Sequence, residues 1–191
     1  MLTGLTVADC FRPSEKKLSL AYNTALVLTG SAVIAISAQI AIPFFPVPFT
    51  AQTFAILVIG ALLGSRLGIL TVLAYICEGI LGLPVFSMGR AGAAMLLGPT
   101  GGYLIGFTAA AFIVGTLAER GWDRSFTKTI AAMTLGTLAI YIFGVAWLSR
   151  LIGFHQALIA GLYPFVIGAV LKIFTAAILL PAGWKLLKNK K

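Results

Sequence analysis

Forty-eight consecutive residues, Leu18 to Ser65, carry no charged side chain, and the proline-rich string IPFFPVPFT interrupts them near the middle. A bilayer-spanning helix needs roughly 20 apolar residues, because each residue rises about 1.5 Å. The stretch is too long for one such helix and fits two, joined by a tight connection. Pro43, Pro46 and Pro48 lack backbone donors, so they interrupt a helical ladder cheaply only where the chain turns. Irregular backbone at membrane depth persists only when it is packed in protein or lines a cavity. The segment therefore predicts a membrane domain and marks a place to look for a site.

The rest of the chain agrees. Of 191 residues, 60% are hydrophobic and 10% charged, with a mean hydropathy of +1.03. Soluble domains carry about 25% charged residues, so the reading is one integral membrane domain. Residues 1–19 form a short cytoplasmic leader, with Asp9, Arg12, Glu15, Lys16 and Lys17, and lack the apolar core and cleavage site of a signal peptide. The membrane domain occupies 20–187, and 188–191 form a basic cytoplasmic tail. Cys10 and Cys77 make no disulfide framework and are read as free thiols. The net charge of +9 is spread between apolar spans, not gathered on one surface, which argues for topological lysines and arginines and against nucleic-acid binding.

Charge-free intervals predict an all-α protein of six spans: roughly Leu20–Ala41, Thr53–Gly64, Leu67–Gly82, Gly102–Ala118, Thr129–Leu148 and Pro164–Leu187. Spans two and three are short, so tilt or local thinning is expected. With six spans both termini lie on one side, together with 11 of the 14 basic residues. The positive-inside bias makes that side the cytoplasm and the protein a multi-pass component of the cell membrane. On the external side, Leu83–Thr100 is apolar and glycine-rich with one charge, Arg90. Such a loop reads as a lid or re-entrant segment, against an ordinary packed loop. Trp184 reads as an interfacial anchor.

Ionisable groups within lipid are expensive and usually functional. Lys172 lies in span six and Glu78 in the external half of span three, with Arg90 nearby in the loop. The two cations are suited to a ligand carboxylate, Arg offering a bidentate fork. Glu78 accepts from a ligand N–H or pairs with a cation; the alternative is a purely structural ion pair. Gly98-Pro-Thr-Gly-Gly-Tyr103 leads into span four and frees backbone donors of Gly101 and Gly102 at a helix start, beside Thr100. Thr50 and Gln52 add a hydroxyl and an amide after the proline break. In span one, small residues recur four apart, including Ala21/Ala25 and Ser31/Ala35. They permit close helix approach, either within the bundle or to another subunit. No P-loop string exists, and a single histidine, His155, leaves no HExxH metal site. No catalytic constellation or metal site is expected, so any active uptake draws its energy from a partner or an ion gradient. A structural membrane subunit without ligand is the competing reading from another class.

Several strings then coincide: PVPFTAQT at 46–53, GALLGSRLG at 60–68, GLPVF at 82–86, LLGPTGGYLIGF at 96–107, and YPF with Gly168 and Lys172 further on. Together, over roughly residues 20–185, they resemble the BioY family, the biotin-binding S components of energy-coupling-factor (ECF) transporters. The resemblance implies a six-helix S-component bundle that captures biotin from outside and docks to a transmembrane coupling protein driven by two ATPase subunits. It makes the face with Ala21, Ala25, Ser31 and Ala35 the docking surface. It implies biotin as transported ligand and no resident cofactor. Working alone or as a homo-oligomer stays open, and dethiobiotin is the alternative ligand. The pocket it implies draws on Lys172, Arg90, Glu78, Gln52, Thr50, Thr100, Gly101, Tyr103, Phe86, Tyr75 and Phe49. In one respect the chain departs: the family commonly has G-D-x-x-K before the span-six lysine, and here Ala169 stands where the aspartate would be. Either Glu78 takes over part of that role, or the ligand sits differently.

Overall fold

The structure is a computed structural model that describes residues 5–189, with side chains through Leu187. Residues 1–4 of the expected leader and the side chains of the expected basic tail, 188–191, lie outside that description. The described chain is helical apart from one two-residue strand pair. Among the described residues, five helices are long and apolar enough to cross a membrane: α1 (Lys16–Gln39), α2 (Gln52–Ile80), α4 (Gly101–Glu119), α5 (Phe126–Ile152) and α7 (Tyr163–Asn189). Two short helices, α3 (Ala94–Leu97) and α6 (Phe154–Gly161), lie in the connections.

The proline string is a closed hairpin. Strand β1 (Ala41–Ile42) pairs antiparallel with β2 (Phe49–Thr50), and Ala51 N–H donates to Ile40 C=O at 3.0 Å. The three prolines occupy the turn, where their missing donors leave no ladder bond unmade. The hairpin thereby returns the chain beside the end of α1 and sets Phe49, Thr50 and Gln52 at the head of α2.

Spans two and three fall within the single element α2, and Gly64 is where they part. Its φ of 81° and ψ of −179° are non-helical and open only to glycine. In an unbroken helix, residues eight apart are about 12 Å apart. Here a Cβ on Gly68 would lie 3.2 Å from the Gly60 Cα. The two arms of α2 therefore fold back on one another, with Ala111 of α4 against both glycines. The second arm opens on Ser65, whose N–H and hydroxyl donate to Glu119 Oε1 at 2.7 and 2.8 Å. That carboxylate satisfies donors a helix start otherwise leaves free. Thr6 of the leader, itself buried, lies over the reversal.

Helix α4 is the centre, packed between α2 and α5 and rich in Gly and Ala, which lets backbones approach closely. Helix α1 is the least buried of the five. At the end of the molecule that holds Gly64, the leader, the Trp122–Arg124 turn and α7 meet. Trp184, expected at a lipid interface, is 2% exposed there and donates its Nε1–H to the buried carboxylate of Asp123. The indole was placed wrongly by sequence because proximity to terminal lysines says nothing about which side of a helix faces protein.

Candidate functional site

A partly enclosed space lies at the opposite end of the bundle, with about 730 Å³ of empty volume, open solvent included. The β1–β2 hairpin supplies Phe49 and Thr50, and the head of α2 adds Gln52 and Thr53. Tyr75 comes from the second arm of α2, Tyr103 and Phe107 from α4, Tyr141 from α5, and Phe165 and Lys172 from α7. The loop after α2 contributes Phe86, Ser87, Arg90, Met95 and Thr100. Its residues Phe86, Met95 and Leu96 pack onto the core.

Lys172 is tethered without an acid. Its ammonium donates to Thr50 C=O and, at 2.8 Å, to Thr53 Oγ1, and sits 4.7 Å from the Phe49 ring centroid. Gly168, one helical turn earlier, makes this possible: a Cβ there would lie 2.1 Å from the Phe49 ring. Phe49 in turn stacks on Phe165 at 5.8 Å. An aromatic face and two neutral oxygens thus hold the ammonium in place without an acidic partner.

The wall tyrosines are already committed. Tyr103 OH donates to Gly161 C=O at 2.7 Å, Tyr75 OH to Val85 C=O at 3.2 Å and Tyr141 OH to Phe165 C=O at 3.3 Å. Each hydroxyl pins a neighbouring segment and leaves ring surface to the cavity. Trp147 Nε1 likewise donates to Gly98 C=O at 3.0 Å, fixing the glycine-rich entry to α4.

What remains free is a small set of donors. Gln52 is 4% exposed, and its Nε2 has no partner; Ser87 Oγ is buried and also lacks one. Buried polar atoms are nearly always satisfied, so orphans aimed at a cavity call for a ligand. Arg90 and Lys172 have no acidic partner among the described residues, whose ion pairs are Arg12–Asp9 and Arg124–Asp123. No Asp or Glu lines the cavity. The chemistry is apolar and aromatic, donor-rich and cationic. It suits a ligand with a carboxylate, further acceptor oxygens and an apolar body.

Of the expected pocket residues, Lys172, Arg90, Gln52, Thr50, Thr100, Tyr103, Phe86, Tyr75 and Phe49 line this space. Glu78 and Gly101 do not. Glu78 faces α1 and accepts from Ser31 Oγ at 2.8 Å. That contact corrects two expectations together, because Ser31 is buried inside the bundle and is not on an outer docking face. Ala35 is half-buried against the core, and Ala21 and Ala25 are exposed. Glu78 therefore does not take the place of the missing aspartate; Lys172 uses Thr50 and Thr53 instead. Thr53, Ser87 and Tyr141 were not foreseen. Thr53 lies one residue past Gln52 in the string already singled out, whereas Tyr141 lies in a uniformly apolar span with nothing to mark it.

A family model described as the BioY family matches residues 13–189. A probable biotin transporter BioY of Pyrococcus horikoshii is 41% identical over 159 residues, 83% of this chain and 94% of the relative. The biotin transporter BioY of Thermotoga maritima is 40% identical, covering 78% of this chain and 88% of its own length. Among solved structures, the S-component for biotin from an ECF-type ABC transporter superposes with a TM-score of 0.74 at 28% identity, covering 91% of this chain and 95% of that one. With the match running from before α1 to the end of α7, and with the cavity residues inside it, the chain belongs to the BioY family.

Proposed function

We propose that the chain is the biotin-capturing membrane subunit of an uptake system. It takes biotin from the external side of the cell membrane and releases it inward when docked to an ATP-driven ECF module. The observation that carries this is the acid-free cavity with two cations and two unpartnered neutral donors. Biotin offers one carboxylate for a cation, a ureido oxygen for Gln52 or Ser87, and fused rings for Phe49, Phe86, Tyr75 and Tyr103. The names of the family relatives support the same ligand. The subunit itself performs no bond chemistry; hydrolysis of ATP belongs to its partners.

The topology that goes with this has six crossings, the two arms of α2 counting separately, and both termini cytoplasmic. The fold-back at Gly64 and the distribution of basic residues support it. The cavity then opens outward, and the Gly64 reversal, with Arg66 beside it, faces the cytoplasm.

The test is calorimetric titration of the purified chain with biotin, and with dethiobiotin and lipoate as competitors. Tight, saturable and selective binding of biotin is expected. Lys172→Met should weaken binding by about 2–5 kcal/mol, the usual loss on truncating one member of a desolvated charge pair. Arg90→Ala should cost less, since Arg90 is exposed. Unchanged affinity in both variants would sink the assignment of the carboxylate to these cations.

A further inference from the structure

The loop that brings Ser87 and Arg90 to the cavity is held by few bonds. Phe86 N–H donates to Arg90 C=O at 3.0 Å, Gly92 N–H to Gly79 C=O at 2.7 Å, and Tyr75 OH to Val85 C=O. Between these anchors lies the turn Ser87–Gly89, whose Met88 and Gly89 are exposed. Met88 has φ 63° and ψ 33°, a left-handed conformation that non-glycine residues adopt only when their surroundings impose it. Among the described residues, the hydrogen bonds that reach this turn from another element come from one side chain, Gln39, in the last turn of α1. Its Oε1 accepts from Gly89 N–H at 2.9 Å. Its Nε2 donates to Phe86 C=O at 3.2 Å and lies 3.4 Å from Val85 C=O. A carboxamide carries donors and an acceptor on one planar group, so a single side chain grips the turn on both flanks. Neither an acid nor a base does both.

We propose that Gln39 is a positioning residue for ligand retention: its carboxamide clasps the Ser87–Gly89 turn and so holds Ser87 and Arg90 over the cavity. It touches no ligand itself and is absent from the cavity lining. It governs how long a bound ligand stays, because the turn must leave for the mouth to open. The identity of the ligand rests on the function proposed above; the clasp does not.

The experiment compares the parent full-length chain with Gln39→Ala and Gln39→Glu. The glutamate keeps the acceptor for Gly89 but sets an oxygen against two carbonyls. Release of radiolabelled biotin into excess unlabelled biotin gives the dissociation rate, and hydrogen exchange of the ligand-free chain reports on residues 85–92. Gln39→Ala should speed release about fivefold, as expected for loss of one or two net hydrogen bonds. Gln39→Glu should move in the same direction. Exchange should rise at Gly89 while α2 and α4 stay protected. In an Arg90→Ala background, Gln39→Ala should add much less than it does alone, because it acts through that loop. Unchanged release, unchanged Gly89 exchange, or full additivity with Arg90→Ala would each overturn the proposal. A drop in exchange protection across the whole bundle would do the same, since it marks a general stability role. If the parent retains no biotin, the ligand assignment fails; Gly89 exchange then decides the clasp alone, faster exchange upholding it and equal exchange removing it.

Discussion

Asp123 is a carboxylate kept almost fully from water, 2% exposed, with one oxygen on the Trp184 indole and the other without a hydrogen-bond partner. Arg124 offers partial compensation: its Nε is 4.0 Å away, and its guanidinium sits over the Trp184 ring and donates to Leu5 C=O at 2.8 Å. Burial outweighs these and pushes the Asp123 carboxyl above its ordinary range. A raised pKa means the folded protein binds the proton more tightly than the unfolded one. The resulting stability is complete below the ordinary carboxylate range and is lost as pH climbs through the folded value. The parent should therefore lose thermal stability relative to Asp123→Asn as pH rises from about 4 to about 8, followed by unfolding scans in detergent. A flat difference would remove the burial argument. Other residues differ in how far sequence could place them. Lys172 and Arg90 were legible because charge inside an apolar run has few explanations. Glu78 met the same rule and was misread, since the rule says a partner exists without saying which helix carries it. Gln39 gave no signal: an uncharged amide at a helix end acquires meaning only when a loop fifty residues away folds onto it.

At the scale of elements, the reversal in α2 is the most demanding feature. Gly64→Ala would force a side chain into a backbone region that costs about 1–3 kcal/mol for non-glycine residues. It would also set a Cβ 2.7 Å from Glu119 Oε1 and 2.9 Å from Thr6 Cγ2. The expected outcome is a lower unfolding temperature with a large loss of expressed, folded protein. Glu119→Gln, which keeps an acceptor for Ser65, should be milder. A Gly64→Ala variant as stable as the parent would mean the arms do not need this conformation. The sequence located this reversal, because Arg66 ends the charge-free run two residues beyond it. It predicted α4, α5 and α7 within a few residues for a similar reason, each being bounded by charge or glycine. Helix α6 escaped notice. Eight residues, Phe154–Gly161, are too few to stand out beside two long apolar spans, yet α6 provides the Gly161 carbonyl that fixes Tyr103.

For the molecule as a whole, the orientation is open to direct measurement. Leu81, 84% exposed after the second arm of α2, and Arg120, exposed after α4, lie on opposite sides in the six-crossing arrangement. With Cys10 and Cys77 replaced, Leu81→Cys should react with an impermeant maleimide on intact cells, and Arg120→Cys only after permeabilisation. Labelling of position 120 from outside would reverse the assignment. That the chain is an all-helical membrane protein was readable from charge distribution because the bilayer restricts spanning backbone to few forms. The cavity was readable only as a set of residue types, since its walls come from five separate segments. The short first arm of α2 has one more implication. Gln52 to Leu63 is twelve residues, about 18 Å of helix, set against roughly 30 Å of hydrocarbon. In the six-crossing arrangement proposed above, a molecule resting on Gln52 has thus crossed about 12 Å of that thickness by binding alone, and the longer remainder, about 18 Å, is left for whatever drives its release.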